Sequence, residues 1–415
     1  MSQMPTPPVK PQPYLMHNQV QNYEWGTRNK DAFIPMLLGF SPKPDTPYGE
    51  LWMGAHVKAP SLVDVDGLQV PLDQWITAHP HELLGDKVAK AFGHQLPFLL
   101  KVLSAGEALS IQAHPNKIQA RSLHANSPQH YPDDNHKPEI AVALDKLTAL
   151  MGIKSISELT ATLKTYPEIS KFIGVEVYDK VNVTGESSRQ KQRDLVRLLF
   201  TVLLTRATTH PLELNAALDQ LATRLASATS RRSEADELFL NLRIKYTTAD
   251  VGLVCLYLMN LVHLEAGQAM FAEAGVPHAY LKGNVVECMA NSDNVVRVGL
   301  TPKFKDAAAL LEIMKYDPGP VTILGGKSRG GTMAYKTPAA EFRVSRFQMT
   351  PNVMRHESND RPLILLVTEG AITLRWDSGV DTFRQGQSLF IPAILHEFSI
   401  SAIQPSVIFK AETPH

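Results

Sequence analysis

Between Ser155 and about Leu264 proline and glycine become scarce and apolar residues recur at helical spacing, while the chain on either side is cut short by turn formers. Leu214, Leu218, Leu221 and Leu225 form one helical stripe, and Leu195, Leu198, Leu199, Val202 and Leu203 another. Ser233 ahead of Glu234 and Asp236 is a capped helix start. Before this stretch, Pro42, Pro44, Pro47, Gly49, Gly54, Pro60 and Gly67 separate short apolar runs such as Leu51–Met53, Pro97–Leu103 and Glu139–Leu144. That texture predicts strands joined by turns, with a helical stretch around Leu72 to Phe92. After it the β texture returns at Gly267, with one short helix near Lys305 to Lys315 and apolar runs at Leu363–Val367 and Ser388–Ile391.

A length of 415 residues exceeds what one core usually organises. The expected division places residues 1–154 and 265–324 in one β-barrel, residues 155–264 in a helical insert, and residues 325–415 in a second barrel after the loose link Gly325–Gly331. The phrase Gly267…Pro277-His278 returns as Gly386…Pro392…His396, which suggests related barrels.

Lys+Arg and Asp+Glu are both 41, so no global field recruits nucleic acid or an anionic membrane, and attraction for an anionic substrate must be local. Two cysteines, Cys255 and Cys288, cannot build a disulfide framework and suit a reducing compartment. The proline-rich start MSQMPTPPVKPQPY lacks the apolar core of a signal peptide. The longest apolar stretch, Val251 to Leu264, is interrupted by Asn260 and His263 and is shorter than the ~20 residues of a membrane span. A cytoplasmic location is expected, where the sequon Asn182-Val183-Thr184 meets no glycosylation machinery. No G-x-G-x-x-G loop for a dinucleotide is present.

Three segments carry metal-ligand chemistry. In Gln112-Ala113-His114 the first and third side chains share one strand face. His136-Lys137-Pro138-Glu139 sets a carboxylate at the mouth of an apolar run, and Gly275-Val276-Pro277-His278 sets a histidine before another. Two His, one carboxylate and one amide oxygen suit zinc and leave room for substrate. Singly each is weak, since a lone His beside apolar residues is more often a hydrogen-bonded core residue; of the 15 His, His17, His81, His94, His130, His210 and His356 have no evident partner.

The surroundings of these segments resemble type I mannose-6-phosphate isomerases. The shared phrases are Gln21–Gly26, Tyr48–Gly54, Leu103–Gly106, Ser110-Ile111-Gln112-Ala113-His114-Pro115, His136–Glu139 and Asn294–Lys303, in order along most of the chain. The resemblance implies two cupin-like jelly-roll β-barrels plus an α-helical domain, in a mainly β protein. It implies one zinc per chain on Gln112, His114, Glu139 and His278, with Arg297 as the catalytic arginine. The implied reaction interconverts mannose 6-phosphate and fructose 6-phosphate and supplies mannose precursors such as GDP-mannose.

Aldose–ketose isomerisation needs a base, a cation for the enediolate and a polarising ion. Lys137 is a candidate base or phosphate contact. Glu287 and Asp293 flank the Arg297 loop as base, relay or structural partner, and Asp293 is also a candidate to orient His114. Ser110, Lys101 and Lys303 are candidate phosphate contacts, and Trp25 and Trp52 candidate walls of a sugar pocket. Rival readings are a non-haem iron dioxygenase, against which Gln112 as a fourth ligand argues, and a sugar-binding cupin, in which Arg297 and Lys137 stand idle. The last ninety residues contain no Gln-x-His or Lys-Pro-Glu phrase, so the second barrel is expected to be a degenerate copy without metal. The expected partner is a phosphosugar rather than nucleic acid or membrane, and the expected state is a monomer.

Overall fold

A computed structural model of the chain describes residues 6–183, 188–229, 231–325, 330–351 and 353–414. Thr184 of the sequon and residues 326–329 of the link lie outside them. All the ladders of its three sheets are antiparallel. Among the described residues no helix is long and apolar enough to cross a membrane.

One strand organises the first barrel. His278–Ala290 pairs through its first residues with Leu147–Ile153 and through Gly283–Ala290 with Phe98–Ala105. Val285–Met289 pairs on the other side with Glu139–Ala143. Gly283 sits where the strand passes from one set of partners to the other, at φ +125°, and an added Cβ would stand 2.5 Å from the Lys146 carbonyl oxygen. No L side chain is comfortable there. Every residue of Phe98–Ala105 is buried, as a strand covered on both faces requires.

The insert forms helices Ile156–Thr165, Pro167–Ile173, Val175–Val183, Arg189–Thr209, Pro211–Ser227, Glu234–Lys245 and Gly252–Leu258. Ser233 makes the expected cap, exchanging hydrogen bonds with Asp236. Leu214, Leu218, Leu221 and Leu225 are all buried, as are Leu195, Leu199 and Leu203. Asp236 accepts hydrogen bonds from Tyr166 and Tyr257, tying three helices together. The helix bundle and the barrel share a continuous core, in which Ile111, Ala113, Leu150 and Ile153 pack with the insert's leucines.

The helical stretch ends earlier than its texture predicts. Met259–Leu264 is a strand that pairs along Leu147–Ile153. A continuous apolar run fits either state by pattern alone, and here a free sheet edge decides it. The stretch at 72–92 is helical as expected, in three pieces, Leu72–Ala78, Pro80–Leu84 and Asp86–Phe92. The strand that carries Gln112 is short, Ile111–Ala113.

The C-terminal residues form a four-stranded and an eight-stranded sheet around Phe347, Leu365, Ile372, Leu389 and Ile400. The larger sheet recruits the beginning of the chain. Tyr14–His17 pairs with Ser388–Ile391, Tyr14 facing Phe390, and Leu62–Val65 and Leu68–Pro71 extend it. Gln19–Gln21 and Glu50–Met53, by contrast, join the first barrel. The first seventy residues thus stitch both β regions together.

The bend at Gly283 gives a direct test. Gly283→Ala is expected to destabilise the fold by about 2–3 kcal/mol, from backbone strain plus the clash with Lys146. Urea unfolding monitored by circular dichroism measures it; an unchanged midpoint contradicts this account of the bend.

Candidate metal centre

The barrel interior brings together the three segments singled out in the sequence. Gln112 lies at the middle of the short strand Ile111–Ala113, whose outer residues are buried in the core shared with the insert. Its backbone stands opposite His278 on one side and Arg297 on the other. Residues directly opposite across an antiparallel pair project to the same face, so Gln112, His278 and Arg297 form a row. His114 follows two residues on. Glu139 opens its strand after Pro138 and faces Met289. The turn before His278 is held by a hydrogen bond from the Gly275 amide to the His114 carbonyl, at 2.7 Å. Gly275 has φ +81°, and a Cβ there would press on the Ile313 carbonyl oxygen.

His114, Glu139 and His278 are each 1% exposed, and their ligand-type atoms lie within 4.8 Å of one another. His278 Nε2 is 2.7 Å from Glu139 Oε1, and His114 Nε2 is 3.5 Å from Oε2. Neither approach has hydrogen-bond geometry, so four buried polar atoms have no hydrogen-bond partner. Leaving such atoms without hydrogen bonds is costly in a buried site. A divalent cation satisfies all four. The other nitrogen of each ring is committed to a backbone carbonyl: His114 Nδ1 donates to Asn294 at 2.7 Å, and His278 Nδ1 to Val276 at 2.9 Å. Such bonds fix the tautomer that presents Nε2 as a lone pair, the arrangement typical of metal-binding imidazoles. The donor set fits a borderline divalent metal such as zinc.

Charge around the cluster is balanced by buried cations. Burial alone would raise the Glu139 carboxyl, but Lys137, His114 and His278 hold it well below the ordinary range. Lys137 Nζ is 3.3 Å from Glu139 Oε2. Burial and the Lys137 ammonium push His114 down to about 4, which keeps that ring neutral. At His278 the adjacent Glu139 outweighs burial and raises it.

Beside the cluster sits an ion network. Lys101 Nζ lies 3.1 Å from Glu287 Oε2 and 3.4 Å from Glu50 Oε2. Tyr280 donates to Glu287 at 2.9 Å, and Trp52 Nε1 donates to Glu50 at 2.5 Å. Burial opposes the charge on Lys101, but Glu50, Glu287 and Glu139 overcome it and raise its pKa. Burial raises Glu287 despite Lys101.

This network surrounds several of the residues singled out in the sequence. The Lys101 ammonium is enclosed by the carboxylates of Glu50 and Glu287. Both oxygens of Glu287 are engaged, Oε2 by Lys101 and Oε1 by Tyr280. Trp52 packs with Leu99 and Met289 in the core. Asp293 does not orient His114; its carboxylate meets Lys58 at 2.6 Å and His56 at 3.4 Å, which hold it ionised against the effect of burial. His114 is oriented by the next residue, Asn294, through its carbonyl.

Other expected residues stand at the mouth. Arg297 is half-buried, and burial lowers its pKa. Exposed Lys303 feels the Arg297 charge and lies 5.9 Å over the ring of Tyr23, which in turn stacks on half-buried Trp25 at 5.5 Å. Half-buried Ser110 immediately precedes the Gln112 strand.

Sequence reasoning gave no role to Glu50, Tyr280, Tyr23 or Asn294. Only Glu50 had a usable local signal, its alternation with Trp52 at the centre of the phrase Tyr48–Gly54.

A buried His–Glu–His cluster on the inner face of an antiparallel barrel defines a metal-binding protein of the cupin fold. Residues 14–156 match the family model "Phosphomannose isomerase type I, catalytic domain". The mannose-6-phosphate isomerase of Rattus norvegicus is 37% identical over 93% of this chain and 94% of its own length. That of Schizosaccharomyces pombe is 35% identical over 96% and 99%. A crystal structure of zinc-bound mannose 6-phosphate isomerase superimposes with a TM-score of 0.85 at 30% identity, covering 97% of this chain and 99% of that one. The chain belongs to the type I phosphomannose isomerase family.

Lys101→Met leaves Glu50 and Glu287 buried without their cation. It is expected to lower the unfolding free energy by about 3–5 kcal/mol. Pairing it with Glu287→Gln should recover part of the loss, both read by chemical denaturation.

Proposed function

We propose that this chain is a zinc-dependent isomerase interconverting mannose 6-phosphate and fructose 6-phosphate through a cis-enediol. The observation that carries the reading is the set of four buried atoms without a hydrogen bond on His114, Glu139 and His278, set beside Lys137 and Arg297. Gln112 would complete the ligand set with its amide oxygen. Zinc held there supplies Lewis acidity and a fixed frame for the sugar oxygens.

The remaining roles follow from charge and exposure. Removing a proton from C2 of the aldose and returning one to C1 passes through an enediolate, whose oxygen needs a fixed cation. Arg297, in the same row as Gln112 and His278, serves that need. Lys137 is the base or a phosphate contact; its ammonium already touches Glu139. With Lys101 enclosed, the phosphate falls to Lys303 and Ser110 at the mouth, with Trp25 and Tyr23 against the sugar. Glu287 and Asp293 hold the site's cations in place rather than moving protons. In this reading the enzyme works in the cytoplasm as a monomer and feeds mannose precursors such as GDP-mannose.

The division into a catalytic barrel, residues 1–154 and 265–324, an insert at 155–264 and a metal-free C-terminal barrel at 325–415 belongs to the same proposal. His396 is exposed, and its Nδ1 lies 3.2 Å from the Asn359 carbonyl oxygen. Purified protein should carry about one zinc per chain, and chelation should abolish turnover of mannose 6-phosphate in a coupled assay. Glu139→Ala and His278→Ala should lose metal and activity, Gln112→Ala less metal than Glu139→Ala, and His396→Ala neither. Full metal content in the Glu139 variant, or equal losses at His278 and His396, contradicts the assignment.

The proton path has its own readout. Turnover in deuterated water should place deuterium at C1 of the ketose, with partial labelling where a shielded base returns the same proton. Many turnovers at equilibrium with no label in either sugar indicate a hydride shift and remove the roles given to Lys137 and Arg297.

A further inference from the structure

The segment that carries Lys137 to the cluster has almost no backbone support. Residues 132–138 belong to no helix or strand, and Pro138 has no N–H to donate. Side chains hold it instead. On one flank Asp133 accepts from Ser292 Oγ at 2.8 Å and from the Asp293 amide at 2.7 Å, and Asn135 Nδ2 donates to the Asn291 carbonyl at 3.1 Å. The other flank borders a cleft of ≈ 520 Å³ that Pro138 and His136 help line, so close packing does not fix it there.

One contact spans that flank. His136 Nε2 donates to Glu341 Oε1 at 2.6 Å, a bond between residues 205 apart in the chain. Glu341 is 2% exposed and sits between Ala339 and Phe342, both buried in a core shared by the two β regions. Burial would raise its carboxyl, but His136 and Lys117 hold it below the ordinary range, so it stays ionised. Lys117 Nζ, at 3.7 Å, is the weaker partner.

We propose that Glu341, reaching in from the C-terminal segment, is a positioning residue for the isomerase reaction: it anchors His136 and thereby sets the adjacent Lys137 against Glu139. This rests on the reading that Lys137 serves the reaction. The C-terminal region then contributes to turnover without touching substrate or metal.

Glu341→Gln keeps the shape and removes the charge; His136→Ala removes the other partner. In each variant of the full-length zinc enzyme, kcat/KM for mannose 6-phosphate should fall about tenfold, the lower end of what partners of ligand-bearing segments cost. Zinc content should stay near wild type in both. The thermal midpoint should stay so in Glu341→Gln, whereas His136→Ala, which leaves the buried Glu341 carboxylate only Lys117 at 3.7 Å, should lower it. Amide hydrogen exchange across residues 133–137 should quicken in both. The double variant should be no worse than either single one, because both act through one contact. Additive losses, or a loss in Glu341→Gln that tracks a lowered midpoint and missing zinc, overturn the proposal. Unchanged exchange in Glu341→Gln overturns it whatever the activity. A wild-type protein without turnover of mannose 6-phosphate defeats the functional reading instead, and the exchange comparison still decides whether Glu341 holds the segment.

Discussion

Both oxygens of Glu139 are buried without a hydrogen bond, and the rest of the site is arranged around that charge. A carboxylate withdrawn from water needs positive charge close by. Lys137 supplies some from two residues away in sequence, and the neighbouring imidazoles leave their Nε2 atoms turned toward it. A divalent ion completes the balance. The Lys101–Glu50–Glu287 network follows the same logic, a second buried charge system closed on itself. Placed so near the first, it lets the barrel hold several carboxylates without mutual repulsion unfolding it.

Much of this was legible where the signal is local. The i, i+2 spacing of Gln112 and His114, the Lys-Pro-Glu turn and the histidine after Gly275-Val276-Pro277 each announced a side chain aimed into a strand's mouth, and all meet in one barrel. The helical insert was legible for the same reason, since its leucine stripes and its Ser233 cap are written within a few turns. What escaped is pairing at long range. Glu50 and Glu287 meet Lys101 across three strands, and Asp293 chose Lys58 and His56 over His114. Met259–Leu264 reads as a continuation of the preceding apolar helix until the open edge of Leu147–Ile153 is there to accept it. No window along the chain contains such information, because a residue's partner lies outside the window.

Lys101 shows why counter-charge has to be read together with position. A lysine in a strand flanking the site is an anion contact only if its charge is unspent. Here Lys101 is buried between two carboxylates, whereas Arg297 is half-buried and Lys303 exposed. Catalytic barrels are therefore read best from exposure and counter-charge together, once the strand faces are known.

Pairing of Tyr14–His17 with Ser388–Ile391 has a consequence for synthesis. A ribosome adding about 5–20 residues per second needs roughly 20–75 s to make the partner of a strand already outside the exit tunnel. For that interval Leu62–Val65 and Leu68–Pro71 can form their hairpin, but the larger sheet lacks its centre and the first strand presents an open edge. The catalytic barrel waits too, since His278–Ala290 is its hub. A chain that stops before Ser388 leaves Tyr14–His17 paired with Leu62–Val65 alone, its other edge open.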